Sequence, residues 1–493
     1  MSKIKDFFDK KFNLTAKGTS VKTEILAGLT TFMAMVYILM VNADMFVATG
    51  AVSYGAMYIS TALSAILGTV LIGILSGLPL AQAPGMGLNA FFVFTMCIAF
   101  GFTYANALVF ILIDGLVFIL LTVTGLRKAI FEAIPDAVKK AIPAGIGLFI
   151  AFIGLQNSGL VVLNPSTKVA MGSMNVLSIS TSWMTPVVYA VEDGIELFTT
   201  PIAPLLVVVA GVIAIAAMSK KKVKGAILWG ILGSAVLYYI FGGIGALCGD
   251  ASSIAVFESI SLANPFDAFA EFGTQAFGKV FTEGFDFSAF ITANGVPQFI
   301  LLLITSSLAF CLVDMFDTLG TLYGACKAGD LLDKDGNVPN LNKAMMADAV
   351  ATTAGAILGT STVTTFVESS AGCAEGGKTS LTSYVVAILF AVAMFLSPIA
   401  QLIPSAATAT ALIYVGVLMI TNVADIDWKD AAVALPSFLT IAMMSFTYNI
   451  SFGIGFGLLS YVIIAIATGK AKEVKVSTYV LTLIFLAMFL LTH

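Results

Sequence analysis

Three carboxylates stand where an apolar chain tolerates them least. The segment DMFDTLGT at 314–321 puts Asp314 and Asp317 inside an apolar stretch that opens near Gln298. Some fifty residues on, TTFVESSAG at 364–372 places Glu368 at the start of a second, interrupted apolar segment. A charge at mid-bilayer costs about 2.5–3.5 kcal/mol on insertion scales, so such acids usually serve a ligand or a transport pathway. A carboxylate accepts two parallel N–H bonds from one edge of a planar solute, and charge-assisted bonds are the stronger kind. Asn89, in QAPGMGLNAFF at 82–92, adds an amide, and Phe91, Phe92, Phe316 and Phe366 lie beside these groups in sequence, able to stack on a ring. With 38 phenylalanines in the chain, packing is the commoner use of any one of them.

Composition dictates the elements that must hold these groups. Hydrophobic residues make up 59% of the 493, charged residues 11%, which is the balance of a polytopic membrane protein. The start MSKIKDFFDKKF is charged throughout and has no signal-peptide core. The five cysteines lack metal-site spacing, and His493 is the sole histidine, so neither a metal centre, a Ser-His-Asp hydrolase nor a histidine proton relay is expected. No nucleic-acid-binding pattern is present.

Apolar runs predict spans at about 23–45, 55–77, 84–100, 104–124, 138–158, 202–219 and 223–247, then 298–322, 343–360, 367–379, 380–402, 405–422, 433–448 and 450–468. Residues 476–491 fit either a fifteenth span or an interfacial helix. With the N-terminus (1–22) cytoplasmic, 22 of the 24 basic residues fall on the cytoplasmic side, as the positive-inside rule asks. The acidic loop 248–297 then lies outside, and 470–493 forms a C-terminal segment. Seven spans, a long loop and seven more point to an inverted repeat. Spans three and ten break the regular pattern. Pro84, Gly85 and Gly87 interrupt the first, and the β-branched run from Thr360 to Val367 favours a strand in the second. Interrupted segments at corresponding places in two halves mark a transporter's binding site. Asn89 and Glu368 are expected at similar positions, each near the N-terminus of a half-helix whose free N–H groups face the membrane centre.

VDMFDTLGTL at 313–322 and TTFVESSAGCAEGGKT at 364–379 resemble the signature segments of the adenine–guanine–hypoxanthine permeases of the nucleobase–ascorbate transporter superfamily. QAPGMGLNAFF and GLTTFMAMVYILMVN at 28–42 are similar to that family too. The resemblance spans about 20–490. It implies an all-α polytopic fold of fourteen spans in a seven-plus-seven inverted repeat with short strands in spans three and ten. A core domain (23–126 and 298–402) would carry substrate against a gate domain (138–247 and 403–468). It further implies a purine nucleobase importer of the cell (inner) membrane, with no enzyme activity. Many relatives are homodimers, and many are proton symporters. Substrate roles fall on Asn89, Asp317 and Glu368, joined in this region by Phe316, Phe366, Thr365 and Gly87. No cofactor is implied. Asp314, Asp317 and Glu368 are candidates for proton coupling, the Asp314–Asp317 pair foremost, while Thr and Ser hydroxyls near 360–370 leave sodium open. Asp114, mid-span, and Asp348 and Glu375, read as nearer span ends, are expected in structural roles. Two competing readings remain: a sulfate- or bicarbonate-type permease, disfavoured by paired acids, and a membrane prenyltransferase, disfavoured by the lack of further acidic and basic clusters.

Overall fold

A computed structural model describes residues 8–125, 133–164, 167–173, 175, 181–192, 195–258, 260, 262 and 264–491. Arg127 and His493 lie outside the described residues. The chain is a mostly helical membrane protein: among the described residues, ten helices are long and apolar enough to cross a bilayer. The first half contains α1 (Val21–Met35), α2 (Ile38–Val47), α3 (Tyr54–Leu75), strand β1 (Gln82–Pro84), α4 (Met86–Ala90) continued by a π-helical turn (Phe91–Ala99), α5 (Tyr104–Thr124), α6 (Asp136–Asn157), α7 (Ile202–Lys220) and α8 (Ala226–Leu247). The second contains α9 (Val296–Ala328), α10 (Leu341–Leu358), strand β2 (Val363–Thr365), α11 (Ser369–Ala374), α12 (Ser380–Ala393), α13 (Ser405–Ile420), α14 (Ala431–Phe446), α15 (Ile450–Ala467) and α16 (Val476–Leu491).

The fourteen expected spans therefore do not all appear as full-length apolar helices. Span three is the strand β1 plus a short helix, span ten is β2 plus the six residues of α11, and α14 has 16 residues. Span nine, α10, carries Lys343 and Asp348 within 18 residues and is not among the ten. The first span is itself interrupted: α1 stops at Met35 and α2 begins at Ile38, with Tyr37 at the junction. Nor is the fold purely helical outside the strand pair. Between α6 and α7, Val161–Asn164 pairs antiparallel with Lys168–Met171, and Val188–Glu192 with Ile195–Phe198.

The centre of the fold is the antiparallel pair β1–β2, with Gln82 opposite Thr365, Ala83 opposite Thr364 and Pro84 opposite Val363. Two more backbone bonds extend it, from Gly85 N to Thr362 O (3.0 Å) and from Phe366 N to Ala81 O (3.0 Å). Lipid offers no partner to a backbone polar group, so the outer edges must be closed by protein. Hydroxyls close them. Thr69 of α3 accepts from Gln82 N (3.0 Å) and lies 3.1 Å from Gln82 O. Thr352 of α10 accepts from Val363 N (3.1 Å), and Ser369 accepts from Ala81 N (3.0 Å). Antiparallel pairing sends α4 and α11 away from this point in opposite directions.

Around the strands, α10 packs on α3 and α5, α12 on α1 and α3, and α2 on α3. A second group forms where α6 packs on α13 and α14, α14 on α15, and α7 on α8 and α13. Small residues set the spacing. A Cβ on Gly115 of α5 would lie 2.4 Å from Thr353 Oγ1 and 2.6 Å from the Thr353 backbone N on α10. Gly115→Ala is accordingly expected to lower the thermal midpoint of the detergent-solubilised protein, the overpacking costing about 1–3 kcal/mol; an unchanged melting curve would contradict this helix crossing.

Candidate functional site

The two strand-to-helix junctions position Asn89 and Glu368, although not symmetrically. Glu368 is the N-cap residue of α11 but makes no side-chain capping bond. Its carboxylate instead accepts from the Tyr37 hydroxyl, 2.6 Å from Oε1. In the first half the N-cap is Gly85, and Asn89 sits inside α4 with its backbone N–H bonded to Gly85 O (2.8 Å). The expected equivalence of Asn89 and Glu368 is thus corrected: one follows its strand by five residues, the other by three. The Asn89 side chain is fully buried and tied to the strands, its Oδ1 accepting from the Ser361 hydroxyl and its Nδ2 reaching Pro84 O at 3.4 Å.

Asp317 is partly accessible on α9, and its carboxylate receives no hydrogen bond from the described residues. It lies close enough to Glu368 for the two charges to interact. A half-open carboxylate with no donor, near a second one whose Oε1 is already held by Tyr37, leaves several acceptor positions free. That arrangement suits a ligand rich in N–H donors and is unfavourable for an anion.

The remaining sequence candidates divide. Phe316 and Phe366 are almost fully buried next to these groups. Thr365 is buried and accepts from Gln82 Nε2 (3.2 Å), so its hydroxyl belongs to the strand pair. Gly87 faces α6, where a Cβ would lie 2.3 Å from Ile146 Cγ2. Phe91 packs in a tilted contact on Phe310 (4.7 Å between centroids) and Phe92 on Phe46 (4.9 Å), which commits both to packing. Asp314 is fully buried and bonded by Thr352 (3.0 Å). Asp348, expected near a span end, is instead the eighth of 18 residues in α10, fully buried and bonded by Thr318 (2.8 Å) and Gln82 (3.0 Å). Glu375 pairs with Lys224 at 2.8 Å.

Sequence reasoning missed Tyr37 and Gln82. Tyr37 is the one tyrosine of the first span, and a buried phenol normally seeks a partner; that was the available signal. Among the described residues, no cluster of His, Cys, Asp and Glu could hold a metal ion.

The permease family model matches residues 22–456. The chain belongs to the permease family. It is 36% identical to the guanine/hypoxanthine permease PbuO of Bacillus subtilis, covering 96% of this chain and 98% of that one. It is 32% identical to the adenine permease AdeP of Escherichia coli, over 97% of this chain and 95% of the relative. Among solved structures, it is similar to the transmembrane domain of the cyanobacterial bicarbonate transporter BicA, with TM-score 0.56, 16% identity, and 87% and 96% of the two chains covered. It is also similar to murine Slc26a9, an anion transporter in an inward-facing state, with TM-score 0.59, 11% identity, and 90% and 68% covered. These two structures share the fold. The protein is a transporter and not an enzyme.

In this permease the Gly87–Ile146 approach joins the site-bearing helices to α6. Gly87→Ala is expected to leave the protein in the membrane and slow transport severely, and Ile146→Ala on that background to recover it. Unimpaired transport by the single variant, measured in membrane vesicles, would show that the contact is not needed.

Proposed function

We propose that this chain imports purine nucleobases, such as adenine, guanine or hypoxanthine, across the cell membrane by proton symport. The observation that carries the proposal is the Asp317–Glu368 pair: one carboxylate inside the continuous helix α9 and without a donor, the other at the start of the broken segment and held on one oxygen. A purine edge presents N–H donors to such a pair, and ring nitrogens or a carbonyl to the α11 N-terminus. Relatives named as guanine/hypoxanthine and adenine permeases support the same chemistry. Asn89, Gly87, Thr365, Phe316 and Phe366 complete the cradle in this reading, some by contact and some by shaping the junctions. Fourteen segments in a seven-plus-seven inverted repeat, three of them broken, then divide into a core (23–126 and 298–402) that carries purine past a gate (138–247 and 403–468) in an elevator-like motion. The N-terminus is assigned to the cytoplasm on lysine placement, and a homodimer would fit the family resemblance.

Competition for uptake tests the substrate class. Adenine, hypoxanthine or guanine is expected to compete at low concentration, and uracil, ascorbate, bicarbonate and sulfate poorly. Displacement by bicarbonate or sulfate as effective as by any purine would favour an anion carrier, in keeping with the structural neighbours. Asp317→Asn and Glu368→Gln keep shape but swap an acceptor for a donor. Each is expected to weaken purine binding by about 10- to 150-fold, the loss of a bond worth about 1.5–3 kcal/mol. Normal affinity in either variant would remove that residue from the site.

Tyr37 offers a separate test, because it holds Glu368 without being a carboxylate. Tyr37→Phe removes one hydroxyl and preserves the ring, so abundance is expected to hold while purine affinity falls about 3- to 10-fold, about 0.6–1.4 kcal/mol, because the lost bond orients Glu368 and does not itself touch the purine. Binding isotherms on purified protein measure it. Wild-type affinity would mean that the carboxylate needs no such anchor.

A further inference from the structure

A second acidic group lies behind the strand pair, built from three helices. Asp114 of α5, Asp314 of α9 and Asp348 of α10 stand at the eleventh of 21, nineteenth of 33 and eighth of 18 positions of their helices, each with 0% exposure. Asp314 interacts electrostatically with both of the others. Among the described residues no salt bridge reaches any of them. The independent feature is Asp114: neither of its oxygens accepts from an N–H or O–H group, and only the Cys311 thiol stands beside it. Asp314 Oδ1 is likewise without a partner. A bare buried carboxylate is among the most costly groups a protein can hold, and three close together cannot all be ionised without a cation.

We propose that Asp114, Asp314 and Asp348 together bind the proton that drives transport, apart from the carboxylates that face substrate. This rests on the reading of the chain as a proton-coupled purine importer and moves the proton from the Asp314–Asp317 pair to the buried side of α9. The other charged groups on the elements packed here are Asp317 and Glu368 at the substrate site, Lys327 and Lys343, both exposed, and Lys279, paired with Glu283. None supplies a cation to the cluster. A proton fits where a metal does not, since the described acids do not converge on a metal position.

The cluster is wired to both strands. Thr352 lies 3.0 Å from Asp314 Oδ2 and accepts from Val363 N. Thr318 donates to Asp348 Oδ2 (2.8 Å) and shares a bond with Thr364 (2.7 Å). Gln82 donates through Nε2 to Asp348 Oδ1 and to Thr365. A proton on Asp314 Oδ2 or Asp348 Oδ2 converts that acceptor into a donor, and Thr352 or Thr318 then turns its hydroxyl. Those same hydroxyls hold β2, three residues before Glu368. Protonation and the geometry of the purine cradle are thereby linked, and loss of the proton on the inner side restores the acceptor.

Full-length protein in liposomes with an internal pH dye tests the proposal, using wild type, Asp114→Asn and Asp348→Asn. For one proton per purine, wild type is expected to accumulate adenine or hypoxanthine about tenfold per unit of imposed pH difference. Asp114→Asn is expected to retain purine counterflow, which needs no net proton movement, yet to lose accumulation and purine-evoked internal acidification. Both Asn variants coupling like wild type would overturn the proposal. No counterflow by wild type with any purine would instead overturn the substrate assignment. Should the Asn variants fail to fold, infrared pH-difference spectra of Asp317→Asn/Glu368→Gln decide. A buried carboxylic-acid C=O band that still titrates supports the cluster, and its disappearance rules the cluster out.

Discussion

The constraint on which the rest of this structure depends is hydrogen-bond satisfaction of six strand residues in the interior of a membrane protein. Gln82–Pro84 and Val363–Thr365 are each only three residues long, and a two-stranded ribbon leaves two outer edges. Each edge is met by a hydroxyl from a different element: Thr69 on α3, Thr352 on α10 and Ser369 at the start of α11. Proline at 84 has no N–H to satisfy, which shortens the task on β1. Because the strands are held from three sides, α4 and α11 start from fixed points, and Asn89 and Glu368 have fixed places.

The same hydroxyls explain why two kinds of acid coexist. Asp317 and Glu368 retain partial access and free acceptor positions, as a ligand site requires. Asp314 and Asp348 are sealed, and the groups that bond them also bond the strands. Tyr37 belongs to the first kind. It stands where α1 gives way to α2, and its hydroxyl occupies one oxygen of Glu368, so the direction of that carboxylate is set by a third interrupted segment.

Much of this was legible in the sequence, for local reasons. Prolines and glycines at 79–87 and β-branched residues at 360–367 are poor helix formers, so the strands announced themselves. Acids inside apolar runs marked Asp314, Asp317 and Glu368 as candidates. What stayed hidden depends on contacts between distant segments. Nothing near Tyr37 shows that Glu368, 331 residues away, would be its partner. Asp348 reads as a span-end residue only if α10 is placed by hydropathy, whereas its burial follows from packing on α3 and α5. Phe91 and Phe92 lie beside Asn89 in sequence, yet they turn toward Phe310 and Phe46. The asymmetry between Asn89 and Glu368 also escapes a repeat argument, because a repeat fixes the topology of two halves and leaves the distance from strand to side chain free.

The contacts between the strand-bearing helices and the group around α6 and α13 are weaker in kind than those that hold the strand pair. Near one end Asp44 of α2 accepts from Ser405 and Thr408 at the start of α13, both at 2.8 Å. Elsewhere the partly exposed Lys224–Glu375 pair connects the α7–α8 turn with the end of α11. Exposed ion pairs are each worth about 0–1 kcal/mol, and hydroxyl–carboxylate bonds can be exchanged for water. Between these points, Gly87 lets α4 lie directly on Ile146, a smooth apolar contact without bonds to break. The strand pair and the acids behind it, by contrast, are tied by bonds that lipid cannot replace. Separating the two groups along this boundary therefore costs less than deforming the strand pair.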